Sequence, residues 1–374
     1  MKGIGNEETF FALVRAGLWE NADANLTLDF NDKVDWDVVY QLAEEQSVVG
    51  VVLAGLERSN VKPPQELLLQ WIGEVQMLEQ QNQEMNKFIA KLIEKLRNKD
   101  VYTLLLKGQG VAQCYERPSW RCCGDVDLLL SDNNYQKSII ILSTMASSTE
   151  AESIYGKHLG LAIDSWAVEL HGTQHTELST RIDNVIDEVQ DDIFYHGNVR
   201  SWMAGDIQVF LPAPDNDVIF IFTHFLKHFY KGGLGLRQIC DWCRLLWTYR
   251  ESLNHELLET RIRKMGLMTE WKAFAAFAVG YLGMPADAMP LYSPAWKWSC
   301  KATRIQEFVM RVGNFGHNRD NCYENKTFVI RKCISFRQRV SDIINHMMIF
   351  PMDSLRFFPN MVFNGVRLAA KGVG

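Results

Sequence analysis

The spacing of apolar residues changes near residue 101, and this change limits the folds open to the chain. In Trp36–Ser47 and Gln65–Asn98 apolar residues recur every three or four positions, as they do in amphipathic helices. After residue 101 the apolar runs become short and are bounded by turn residues, which predicts strands. The predicted strands are Val101–Leu106, Asp125–Leu130, His158–Ile163, Trp166–His171 and Ile207–Leu211.

From Asp217 onward the helical spacing returns. The pattern therefore predicts an α+β fold, in which a small mixed sheet with flanking helices lies between two helical regions. We place the N-terminal helical region, the αβ core and the C-terminal helical region at residues 1–100, 101–215 and 216–374. A chain of 374 residues, 47% of them hydrophobic, is long enough for two or three packed units.

The sequence favours a cytoplasmic protein. Residues 1–15 contain no basic segment followed by an apolar one, the pattern of a secretory signal. The most apolar stretch, Val218–Leu226, is far shorter than the roughly 20 residues that span a bilayer. The eight cysteines have no disulfide or zinc-finger spacing, so we expect reduced thiols and no membrane partner.

The net charge of −6 conceals a difference between the two parts of the chain. Residues 1–215 contain 33 acidic and 17 basic residues, a net charge of −16. Residues 216–374 contain 12 acidic and 22 basic residues, a net charge of +10. This asymmetry indicates that the basic part faces an anion, which is a phosphate-bearing ligand, a nucleic acid or the acidic part itself.

Two aspartates mark one predicted strand as a candidate metal site. Asp125 and Asp127 are two positions apart, so both side chains leave the same face of the strand and repel each other unless a cation lies between them. Glu169 is an acid inside another apolar strand and is a candidate third ligand. His171 is two positions after Glu169, so its side chain is expected on the same face of that strand. The alternative is a solvated strand end with an edge-strand charge.

The segment before the aspartates favours the metal site. Lys107-Gly108 follows a predicted buried strand and precedes a short predicted helix, Gln109–Tyr115. Backbone N–H groups at the start of a helix, together with a lysine ammonium, can hold phosphate oxygens.

The order of these motifs resembles the nucleotidyltransferase superfamily that includes DNA polymerase β, and it is most similar to a bacterial family of uncharacterised nucleotidyltransferases. In both, a strand, a glycine turn and a helix precede a strand with Asp-x-Asp and a later strand with an acid. This chain has Lys107-Gly108 where the superfamily usually has Gly-Ser. The similarity extends over about residues 35–250 and rests on Leu105–Gly108, Arg121–Leu129, Val168–His171, His224–His228 and Gly235–Asp241.

The resemblance implies transfer of a nucleoside monophosphate from an NTP such as ATP to an unidentified acceptor, with release of pyrophosphate. It implies that Asp125, Asp127 and Glu169 are the catalytic residues and bind Mg²⁺ or Mn²⁺. Lys107, Gly108 and Arg121 are expected to contact phosphates.

A second set of candidate residues lies between positions 224 and 241. His224 and His228 share one face of a predicted helix, but no glutamate follows His224 as a zinc-protease motif requires. We expect this segment to form a second wall of the cleft, although core or capping roles for the histidines are the alternative. Expected phosphate contacts here are Lys227, His228 and Arg237; expected supporting or acceptor-contacting residues are His171, His224 and Asp241.

Two other functions stay open at this point. A non-catalytic nucleotide-binding or protein-interaction module would keep the fold without turnover, and Lys107-Gly108 in place of Gly-Ser favours it. Nucleic-acid processing requires a contiguous basic groove. The basic and aromatic residues of 328–339 could form one, but we interpret them as a solvated helix face, so nucleic acid is not the expected partner.

Overall fold

The computed structural model describes residues 5–20, 34–152, 157–231, 233–313, 341 and 343–358. The predicted basic and aromatic segment 328–339 lies outside these residues. The N-terminal part is helical, as predicted. Its helices are α1 (Asn6–Leu18), α2 (Trp36–Glu45), α3 (Val49–Glu57) and α4 (Gln65–Arg97).

Helix α4 continues without a break through the polar run 79–84. Asn82 in this run is fully buried and donates to the backbone oxygens of Ser119 (2.7 Å) and Arg121 (2.9 Å). Its own oxygen accepts from Gln109 Nε2 at 2.6 Å. Asn82 therefore holds the loop that leads to Asp125 and Asp127.

One mixed seven-stranded sheet forms the centre of the protein. The strands are β1 (Leu104–Leu106), β2 (Asp125–Leu129), β3 (Ser148–Thr149), β4 (His158–Ile163), β5 (Trp166–His171), β6 (Val199–Ala204) and β7 (Ile207–Pro212). Their order in the sheet is β3-β4-β5-β2-β1-β7-β6. Strands β2 and β5 are parallel, as are β1 and β7, and the other neighbours are antiparallel. The intervening helices are α5 (Gly108–Ala112), α6 (Asp132–Ser143) and α7 (Thr180–His196).

The predicted strands are confirmed, with β4 and β5 at their predicted bounds and β1 three residues shorter at its start. Helix α7 and strand β6 are absent from the prediction. Helix α7 nevertheless has two local signals, because Ser179 caps its start and Gly197, in the left-handed conformation, ends it.

The C-terminal part is mainly helical, as predicted. Its helices are α8 (Pro214–Lys231), α9 (Leu236–Thr248), α10 (His255–Met265), α11 (Met268–Leu282) and α12 (Trp296–Val312). Residues 343–349 and 351–358 are also helical. Trp296 and Trp298 lie in the first turn of α12.

The terminal helical regions share one apolar core. On α1, the ring of Phe11 lies 5.5 Å from that of Tyr281 on α11, and Trp19 Nε1 donates to the Leu282 oxygen at 2.7 Å. A second core lies between the C-terminal half of α4, the sheet and α6. The sheet is therefore packed on both faces.

The described cysteines are free thiols, and Cys240 and Cys243 are fully buried on α9. Among the described residues, none of the helices is long and apolar enough to cross a membrane.

Candidate active site

Three carboxylates from two neighbouring strands meet at one place. Asp125 and Asp127 lie on β2, and Glu169 lies on the parallel strand β5, where it pairs in register with Asp127. Side chains of paired residues leave the same face of a sheet, so the register brings all three acids together. One oxygen from each of the three lies within 4.8 Å of the others. This is the grouping that the sequence predicted.

Lys107 follows the last residue of β1 and reaches these acids through an unusual turn. Leu106 pairs with Asp127, so the chain leaves β1 beside the second aspartate. Lys107 and Gly108 both have positive φ angles, 49° and 37°. This conformation directs Lys107 Nζ to within 3.0 Å of Asp127 Oδ1. Helix α5 has only five residues, so the lysine is the main source of positive charge at this turn.

Two histidines complete the acidic cluster. His171 Nε2 lies 2.7 Å from Asp127 Oδ1 and 3.4 Å from Glu169 Oε2, and His158 Nε2 lies 3.1 Å from the same Glu169 oxygen. His158 was not a candidate from the sequence. A signal was present, because the two-residue turn Asp164-Ser165 pairs Ile163 with Trp166 and therefore His158 with His171.

Burial and neighbouring groups shift the pKa values of the three acids in different directions. Burial, together with the Asp127 charge, raises the pKa of Asp125. Burial opposes ionisation of Asp127, but the Lys107 ammonium and the His171 hydrogen bond outweigh it and lower its pKa. Hydrogen bonds from His158 and His171 lower the pKa of Glu169 strongly. The negative charge of Asp125 is therefore the one that other groups of the protein compensate least.

The second wall of the cleft comes from α8. His224 and His228 lie on one face of this helix with their Nε2 atoms 3.1 Å apart. Burial, reinforced by the Lys107 charge, lowers the pKa of both imidazoles, to about 4 for His228. Burial and the charge of Lys231 lower the pKa of Lys227. The two histidines are therefore neutral near neutral pH.

Arg121, Arg237 and Asp241 connect the two walls. Asp241 on α9 accepts two hydrogen bonds from the buried Arg121 guanidinium and one from Tyr115 Oη at 2.8 Å. Arg237 Nη1 donates to the Cys122 oxygen at 2.6 Å, while its buried Nε has no hydrogen-bond partner in the described part of the chain. Arg237 therefore has a spare donor, whereas Arg121 is already paired.

These groups surround one cleft of about 340 Å³. All twelve residues that the sequence selected line it, including Gly108 and the second-wall residues. Lining residues that the sequence analysis missed include His158 and the segment 173–177 after β5, and Gln174 Nε2 in this segment is a buried donor without a partner among the described residues. Five of the nine histidines of the chain line the cleft: His158, His171, His175, His224 and His228.

Comparisons with known proteins agree with the arrangement of these motifs. A family described as "Uncharacterised nucleotidyltransferase" matches residues 32–283, about two thirds of the chain. The match begins close to the start of the predicted resemblance and extends past α9 to the end of α11. No curated protein and no solved structure matches the chain. The chain belongs to the family of uncharacterised nucleotidyltransferases.

Proposed function

We propose that the protein transfers a nucleoside monophosphate from a metal-bound NTP to an acceptor and releases pyrophosphate, as enzymes of the polymerase β type do. The convergence of Asp125, Asp127 and Glu169 beside Lys107 is the observation that carries this proposal. Membership of a nucleotidyltransferase family supports the general reaction, with an NTP and an acceptor as substrates.

The local charge supports a divalent cation at the three acids. Three carboxylates lie beside the Lys107 ammonium and the His171 imidazole, whose pKa is raised by hydrogen bonds to Asp127 and Glu169 despite its burial. The three acids outnumber these two groups around Asp127, which is 2% exposed. Uncompensated charge at a buried position is unfavourable, and oxygen ligands are those that Mg²⁺ and Mn²⁺ prefer. We assign Asp125, Asp127 and Glu169 to this cation, which when bound neutralises the charge of the triphosphate.

The basic side chains around the acids fit the phosphates of the NTP. Lys107, Lys227 and Arg237 line the cleft, and Arg237 retains a free donor. We assign the triphosphate to these residues, with His228 beside them. The catalytic contribution of the chain in this reaction is to position the two substrates and to stabilise charge.

Glu169 is better suited to holding a cation than to accepting a proton. Hydrogen bonds from His158 and His171 lower its pKa, and a carboxylate with a low pKa is a weak base. Its role in the proposal is therefore to bind the cation. The acceptor then loses its proton to another base or to water.

A nucleotide-binding module without turnover is the second candidate, and one contact favours it. Lys107 Nζ lies 3.0 Å from Asp127 Oδ1, so a protein cation already balances part of the acidic charge. In a binding module this lysine would take the place of a metal, and the NTP would bind without Mg²⁺.

The two candidates are separated by calorimetric titration of an NTP analogue that resists cleavage between the α- and β-phosphates. The proposal predicts binding that requires Mg²⁺ and weakens at least about tenfold in Asp125→Asn and Asp127→Asn. Asp164→Asn is the matched control, because it removes a carboxylate from the β4–β5 turn outside the cleft. Equal binding with and without Mg²⁺ would support the binding module, and no binding in either case would exclude both.

A further inference from the structure

We propose that His158, Glu169 and His171 form a second cation site, which takes a first-row transition-metal ion through two imidazole nitrogens. The site shares Glu169 with the carboxylate group but does not depend on nucleotidyl transfer. One ligand atom from each of the three residues lies within 4.8 Å of the other two.

The distances between these atoms match those between neighbouring ligands of one metal ion. Glu169 Oε2 lies 3.1 Å from His158 Nε2 and 3.4 Å from His171 Nε2. Metal–ligand bonds of about 2.1 Å at angles between octahedral and tetrahedral separate adjacent ligand atoms by roughly 3.0–3.4 Å. Because the rings are tilted by 45° with centroids 4.8 Å apart, they do not stack face to face.

His171 Nε2 is shared between two carboxylates. It lies 2.7 Å from Asp127 Oδ1 and 3.4 Å from Glu169 Oε2. A ring nitrogen carries at most one hydrogen, so that hydrogen is shared unequally between the two contacts. A cation that accepts the lone pairs of His171, His158 and Glu169 takes the place of the hydrogens on the two imidazoles.

The donor set determines which ions the site selects. Two imidazoles and one carboxylate suit Fe²⁺, Co²⁺, Cu²⁺ or Zn²⁺, whereas Mg²⁺ and Mn²⁺ prefer oxygen ligands. The position is also accessible, because the side chains of His158 and Glu169 are about one-third exposed. The site therefore differs from the carboxylate group in ligand chemistry as well as in position.

Copper binding to the full-length, metal-free protein tests the proposal without an activity assay. Cu²⁺ is titrated as a probe ion and followed by electron paramagnetic resonance, and pulsed measurements detect coupling to imidazole nitrogen. We expect nitrogen coupling in the wild type, with weaker coupling and at least about tenfold weaker Cu²⁺ binding in His158→Ala. His158 lies at the start of β4 and is partly exposed, so its truncation is compatible with folding.

His175→Ala is the matched control, because His175 also lines the cleft but pairs with Asp187 at 2.6 Å. It should leave the coupling and the affinity for Cu²⁺ unchanged. Absence of nitrogen coupling in the wild type, or wild-type Cu²⁺ affinity in His158→Ala, would overturn the proposal. Failure of Mg²⁺-dependent NTP binding in a protein with clear nitrogen coupling would instead reject the proposed function and leave the metal site standing.

Discussion

Arg121 and Asp241 form a buried, two-point ion pair between the loop before β2 and helix α9. Arg121 Nε lies 2.8 Å from Asp241 Oδ1, and Nη2 lies 2.6 Å from Oδ2. From the sequence, Arg121 is expected to contact phosphate and Asp241 to support the site. Because Asp241 engages the Nε and Nη2 donors of Arg121, we infer that Arg121 positions the aspartate strand against the second wall of the cleft.

Asp241→Asn should destabilise the protein by about 3 kcal/mol, because it leaves the Arg121 charge buried without its partner. Urea denaturation measures this change. Glu259→Gln is the control, since Glu259 and Arg263 form an exposed pair on α10 whose loss should cost less than about 0.5 kcal/mol. Equal stability of the two variants, with NTP binding reduced only in Asp241→Asn, would instead support a phosphate contact by Arg121.

Lys107→Met should have opposite effects on the cation and on the nucleotide. The Lys107 ammonium repels a metal ion that approaches Asp127, so its removal should strengthen Mg²⁺ binding in the absence of nucleotide. Its removal should also weaken Mg²⁺–NTP binding by about tenfold, because the proposed phosphate contact is lost. Calorimetric titrations measure both affinities. A parallel decrease in the two affinities would show that the lysine maintains the shape of the site rather than competing with the cation.

Gly108→Ala should lower the free energy of unfolding by about 1–2 kcal/mol. Gly108 has a positive φ of 37°, and a Cβ there would lie 3.2 Å from Cys123 Sγ. In contrast, a Cβ at Gly73 on α4 would contact nothing within 4 Å, and Gly73→Ala should stabilise the helix by about 0.5–1 kcal/mol. Thermal and urea unfolding of the two variants measure these opposite signs. A neutral Gly108→Ala would mean that the turn can relax.

Glu270→Gln should stabilise the protein increasingly as the pH rises. Burial, with the charge of Asp353, raises the pKa of the Glu270 carboxyl well above its usual range. Above the unfolded-state pKa, the unfolded chain loses this proton while the folded chain keeps it, so the wild type loses up to about 1.4 kcal/mol of stability per pH unit. The glutamine variant lacks this loss. Unfolding curves at several pH values above the unfolded-state pKa measure this loss of stability. A difference in the free energy of unfolding between the two proteins that does not change with pH would contradict a neutral Glu270.

Local sequence patterns determined most of the secondary structure and the membership of the acidic group. Two short apolar runs and the two-residue turn between them give the β4–β5 hairpin its predicted bounds, because both signals act over adjacent residues. Asp125 and Asp127 share a face of β2 for the same reason. These inferences require only the geometry of a strand.

The environments of the site residues depended on contacts between distant parts of the chain. Apolar alternation says which face of a strand is buried but does not say which strands are neighbours, so the sheet order and the pairing of Asp127 with Glu169 follow from tertiary packing. Asp241 is 120 positions from Arg121, and only the fold brings the two together. The sequence by itself determined which acids and cations are available; the tertiary structure decided their partners, because those partners depend on packing between elements far apart in the chain.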